Sequence, residues 1–215
     1  PSLNILASVA NTGRTLLHAA VNTLQVAGGA LYSTACLGRD GRVSDIDGMG
    51  ALLKTGTGIL EVRGVPPGTD YFGYLGQTVI RAGTLRILAD DNPAGNGGTL
   101  GQAPVSVPIL LGDALTGAGD DPTLELAGGA SLVAHDITVA AAPSAQAALV
   151  LDAVTTARFT GTVTLHDALR LSGPANAAIT FGTLAAPSAP QPLLLDGIGS
   201  LTVNDAAGVT LDLAD

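Results

Sequence analysis

Carboxylates are the most promising groups for chemistry in this chain. Asp90-Asp91 and Asp120-Asp121 are adjacent pairs in turn-rich stretches, and Asp45-Ile46-Asp47-Gly48 has the spacing that opens a calcium loop. Paired acids can hold Ca²⁺ through oxygen or, beside an Arg in a groove, cleave a glycan. The residues after Gly48, Met49-Gly50-Ala51-Leu52, bring no further ligands. The sequence therefore predicts no cofactor beyond weak calcium at Asp90, Asp91, Asp120 and Asp121. His18, His135 and His166 are too far apart in sequence for a local metal motif. The dipeptide His135-Asp136 recurs as His166-Asp167. On adjacent coils the two pairs would stack into a metal site or proton relay; otherwise they are polar residues at strand edges.

Nucleophile and phosphate motifs fail. There is no Gly-x-Ser-x-Gly, and Gly112-Asp113-Ala114-Leu115 carries Ala where an acyl-enzyme needs an oxygen or sulfur. No Walker sequence or dinucleotide glycine fingerprint is present. Cys36 is alone, which excludes an internal disulfide and fits a small core residue. Tyr71-Phe72-Gly73-Tyr74 gathers three of the six aromatics into one short Pro-bearing loop. Tyr71, Phe72 and Tyr74 are therefore the expected contacts to a partner, the alternative being that Phe72 packs back onto the core.

The elements that must position these residues are poor in helix formers. Asp outnumbers Glu by 16 to 2 and Arg outnumbers Lys by 8 to 1, a balance that favours turns over helices. Hydrophobic content of 47% across 215 residues is enough for a substantial core. A net charge of −9 with scattered single bases argues against nucleic acid or an anionic membrane as partner. No apolar run reaches the length of a membrane-spanning helix.

A short alternating unit recurs: Leu24-Gln25-Val26, Leu60-Glu61-Val62, Leu85-Arg86-Ile87, Leu124-Glu125-Leu126, Leu169-Arg170-Leu171, Leu201-Thr202-Val203 and Leu211-Asp212-Leu213. Period-two alternation between turn formers predicts strands with the aliphatic residues inward. The intervals Leu60–Leu85, Leu124–Leu149 and Leu149–Leu169 fit a unit of roughly 20–25 residues, and Leu85–Leu124 is such a unit lengthened by an insertion. A unit of this size with insertions is the signature of a solenoid of stacked coils. Residues 15–26 fit strand–turn–strand, with an amphipathic helix through Leu16, Ala20 and Leu24 as the alternative. Loops are expected at 65–73, 89–98, 117–122, 141–146 and 185–192, and the whole of 1–215 reads as one domain.

Lys54-Thr55-Gly56-Thr57-Gly58-Ile59-Leu60, followed by Val79-Ile80-Arg81-Ala82-Gly83-Thr84-Leu85, resembles the passenger-associated strand repeat of bacterial autotransporters. The likeness covers residues 53–88, and the stretch 66–73 is longer than the family's usual turn. The resemblance implies an all-β, right-handed parallel β-helix of about eight to ten coils, exported through the outer membrane to the cell surface. Gly56, Gly58, Gly64 and Gly83 are then structural turn glycines, with Gly56, Gly58 and Gly83 at positive φ. The Gly-Asp-Ser-Gly context of protease passengers is absent.

The expected function is that of a non-catalytic extracellular stalk or adhesin that presents loops. Its expected partners are a protein or glycan on another cell surface, or further copies joined through the solenoid ends. A polysaccharide-acting β-helix enzyme and a self-assembling surface filament or layer are the alternatives.

Overall fold

The computed structural model describes residues 2–11, 14–16, 21–34, 36–38, 50–64, 74–91, 99–100, 106–140 and 145–213. Among them there is no helix, and so none long and apolar enough to cross a membrane. In chain order the strands are β1 (Ser2–Ile5), β2 (Val9–Ala10), β3 (Arg14–Leu16), β4 (Val21–Val26), β5 (Leu31–Thr34), β6 (Cys36–Gly38) and β7 (Ala51–Thr55). Next come β8 (Ile59–Val62), β9 (Thr78–Ile80), β10 (Thr84–Ile87), β11 (Ile109–Leu111), β12 (Thr123–Ala127), β13 (Leu132–Val133) and β14 (Ile137–Val139). The last are β15 (Ala147–Asp152), β16 (Thr156–Leu165), β17 (Leu169–Ser172), β18 (Ala178–Ala185), β19 (Gln191–Asp196), β20 (Ser200–Ala207) and β21 (Val209–Leu213).

These strands stack in parallel as a β-solenoid. The first face runs β1-β4-β7-β9-β11-β14-β16-β18-β20, with β13 also on β16; the second runs β2-β5-β8-β10-β12-β15-β17-β19-β21. A third, two-stranded sheet of β3 and β6 widens the coil near the start. The recurring triplets are strands; of residues 15–26, those described lie on β3 and β4, and 17–20 lie outside the described residues.

Alternation sets the core. On the second face Tyr32, Leu60, Leu85, Leu124, Leu149 and Leu171 stand in one column, register partner upon partner about 4.8 Å apart. All are buried, and burying each aliphatic side chain contributes about 1.5–3 kcal/mol. The expected alignment of Leu149 with Leu169 is off by two: Leu149 stands over Leu171, while Leu169 aligns with Ala147. In Leu169-Arg170-Leu171 either Leu keeps the same face, so alternation alone cannot choose between them.

Corner turns hold the two faces together. Gly56 has φ of 71° and Gly83 φ of 65°, left-handed conformations in which a side chain is strained. A Cβ on Gly83 would sit 2.6 Å from the Gly56 carbonyl oxygen of the coil below. Gly64 also has positive φ, at 85°. Gly58, expected at positive φ, has no such backbone conformation; it must be Gly because a Cβ there would collide with the Ala27 carbonyl.

Candidate functional site

The loop acids are built into backbone. Asp90 Oδ1 accepts hydrogen bonds from the Ser131 and Leu132 amides at 2.7 and 2.9 Å, and from the Ser131 hydroxyl. Asp120 Oδ2 accepts from the Gly117 amide at 2.6 Å, and Asp121 Oδ1 from the Gln146 amide at 3.1 Å. Each closes a turn or ties one coil to the next. Among the described residues no group of three or more acids, His or Cys could hold a metal ion. Asp45 and Asp47 lie outside the described residues, as do Tyr71, Phe72 and His18.

Tyr74 is not on an exposed loop. It is wholly buried, and its hydroxyl is hydrogen-bonded to Thr78 on β9. Burial raises its pKa, and the Asp91 charge adds to this against the Thr78 hydrogen bond. Asp91 is also fully buried, with Oδ2 2.6 Å from His135 Nδ1 and Oδ1 accepting from the Leu100 amide at 3.2 Å. The two His-Asp dipeptides do not stack. Ile137 of β14 aligns with Val163 of β16, and this register sets His135 opposite Gly161 rather than His166. His166 Nδ1 instead lies 3.4 Å from the Ser188 hydroxyl.

Lys54, the only lysine, occupies a core position that the sequence reading passed over. Its register partners are Leu24 and Ile80, and it is fully buried. The ammonium has three N–H donors, and three carbonyls receive them: Gly56 at 2.6 Å, Ala82 at 2.8 Å and Thr55 at 3.1 Å. It fastens two stacked corners from inside. Desolvation lowers its pKa from 10.5 to about 8.

Outward positions of the second face carry the most extended surface chemistry. Ser33, Glu61, Arg86 and Glu125 are successive register partners on β5, β8, β10 and β12. Arg86 lies 2.9 Å from Glu125, 3.6 Å from Glu61 and 4.0 Å from Asp152, while Ser33 donates to Glu61 at 2.7 Å. Burial raises the Glu125 pKa and outweighs the opposing hydrogen bond and charge of Arg86. For Arg86, burial lowers the pKa, and the Glu125 hydrogen bond with the three nearby acids raises it further than that. Three carboxylates share one guanidinium, so Arg86 is occupied in joining strands.

Below this ladder the outward side chains shorten, and a cavity of about 160 Å³ opens across β12, β15 and β17. Ala148 and Val150 line it on the middle strand, with Thr123 and Ser172 on the strands to either side. Gln146 and Asp121 bound it on one side and Arg170 on another. Arg170 is ion-paired with Asp196. Arg81–Asp113, a bidentate pair with contacts of 2.8–3.0 Å, fixes the corner after β11. Burial tends to raise the Asp113 pKa, but the hydrogen bonds of Arg81 and the Leu115 amide lower it overall.

The ladder and cavity form the candidate site: a polar, mildly acidic face on a rigid sheet, suited to holding a ligand. No family model matches the chain, and no curated protein or solved structure is significantly similar to it.

Proposed function

We propose that this chain is a non-catalytic segment of a surface-displayed bacterial β-solenoid of the autotransporter type, serving as a stalk or adhesin. The observation that carries the reading is the use of the loop acids. Asp90, Asp120 and Asp121 cap backbone amides, and Asp91 is held by His135 and the Leu100 amide. A glycan-cleaving groove needs such acids gathered around the scissile bond. Stacked parallel coils with Leu columns supply rigidity along one axis, the property a stalk requires. Export through the outer membrane and contact with a protein or glycan on another surface belong to the same reading.

The test is display of the segment on bacterial cells, scored for attachment to host-cell layers and for degradation of polysaccharide. The expected result is attachment above that of non-displaying cells, removal of the segment by protease added outside, and no new sugar ends. Release of reducing or unsaturated ends, abolished by Glu125→Gln, would replace this reading with an enzymatic one.

A further inference from the structure

We propose that the cavity on the second face is a binding site for one ring of a neutral saccharide chain. This deepens the adhesin reading by naming the partner's chemistry, and it rests on that reading. Four features of the cavity favour such a ligand.

The first is size. At about 160 Å³ the cavity has room for roughly five waters. That suits one sugar ring. The second is the mixed lining. Ala148 and Val150 present methyl groups between Thr123 and Ser172, and a pyranose likewise joins an apolar C–H face to an edge of hydroxyls. The third is hydrogen-bonding capacity. Among the described residues the Gln146 side-chain amide makes no hydrogen bond, although its backbone amide is held by Asp121. Arg170 contacts Asp196 through Nη2, leaving its other N–H groups to donate.

The fourth, charge, decides between classes of saccharide. The one cation in the lining is neutralised by Asp196, Asp121 adds a carboxylate, and the chain carries net −9. A uronate or sulfated polymer would be repelled, whereas a neutral chain meets donors and acceptors without that penalty. A peptide adding as a strand needs an open sheet edge, but β12, β15 and β17 are each paired on both sides. With no aromatic platform the affinity for one ring is about millimolar. Display in many copies raises the avidity well above that.

The test titrates the full chain by calorimetry with neutral hexasaccharides of glucose, mannose, galactose and N-acetylglucosamine, with polygalacturonate as the charged comparison. At least one neutral chain should bind with Kd of about 1 mM. Val150→Arg, which lays a long charged side chain across the cavity, should weaken binding at least tenfold. Arg170→Ala should weaken it several-fold, and Thr202→Ala on the opposite face should leave it unchanged. Circular dichroism checks the fold of each variant. Should Val150→Arg not fold, Val150→Ser removes the same apolar contact and should weaken binding about threefold.

Absence of binding by every neutral chain up to about 20 mM overturns the proposal. Equal affinity in the Val150 variants, or tighter binding of polygalacturonate, also does so. Attachment of displaying cells separates the two readings. If cells attach equally with Val150→Arg while no hexasaccharide binds, the adhesin reading stands and the saccharide site falls. If wild-type cells fail to attach, the adhesin reading falls.

Discussion

Between Asn22 and His135 the interior of the solenoid accepts Lys54, Thr78, Asp91 and His135, whereas from Asp136 onward every buried residue among those described is apolar. In the later part Phe159 and Phe181 stack with ring centroids 5.0 Å apart, in register on β16 and β18. For Asp91 and His135 the difference follows from how regular the coils are. Between β10 and β12 the register pairs Thr84 with Thr123, a far longer excursion of chain than the one from Leu169 to Leu193 between β17 and β19. The longer excursion brings Leu100 into the core, and its buried amide has no strand partner. A buried N–H needs an acceptor, and Asp91 provides it, held in turn by His135. Regular coils satisfy their backbone within the ladders and can leave the interior apolar.

The most damaging ways to break this contrast remove one key residue from each part. Asp91→Ala removes the buried carboxylate that contacts His135 Nδ1 and accepts from the Leu100 amide, and should cost about 3–5 kcal/mol in urea unfolding. Asp91→Asn, which can still accept from Leu100, should cost less. Phe181→Ala removes a fully buried ring and should also cost about 3–5 kcal/mol. A loss below about 1 kcal/mol for Asp91→Ala would show that the polar interior is not needed to hold the excursion.

A smaller effect separates the parts by pH. The Lys54 pKa is lowered to about 8, so between pH 8 and its ordinary value of 10.5 the unfolded chain binds the proton more tightly. Stability from this group therefore rises with pH across that window, by roughly 2 kcal/mol from pH 8 to pH 10. Below pH 8 both states carry the proton and the slope vanishes. Buried Tyr74 acts in the opposite sense above pH 10, because its raised pKa keeps it protonated in the folded chain. Subtracting the Lys54→Met profile isolates the lysine, and a flat difference curve from pH 8 to 10 would remove the assignment. The smallest effect belongs to the surface: Arg170→Ala breaks an exposed pair and should change stability by less than about 1 kcal/mol. That separates its role at the cavity from any role in the fold.

The solenoid was legible because alternation and turn spacing are local signals repeated many times. Leu60, Leu85, Leu124 and Leu149 do stack in one column. The site was less legible because it depends on which outward residues become neighbours across coils. Glu61, Arg86 and Glu125 sit on three separate coils, distant in the chain, and meet only once the register is fixed. Asp90 and Asp121 look alike in sequence whether they bind a cation or an amide, since both uses need an exposed oxygen in a turn. Tyr74 carries no local mark of burial beside Tyr71 and Phe72. Lys54 does carry one: it continues the alternation that places Leu52 inward, a signal that its charge obscured.

The burial of Lys54 also bears on how the chain can be tagged. It is the sole ε-amine in the sequence, it is enclosed, and its three N–H groups are already held by carbonyls. Acylating reagents, enzymatic acetylation and isopeptide-forming ligases all require an accessible side-chain amine. None finds a lysine on the surface of this folded chain, so any covalent attachment there must proceed through other groups.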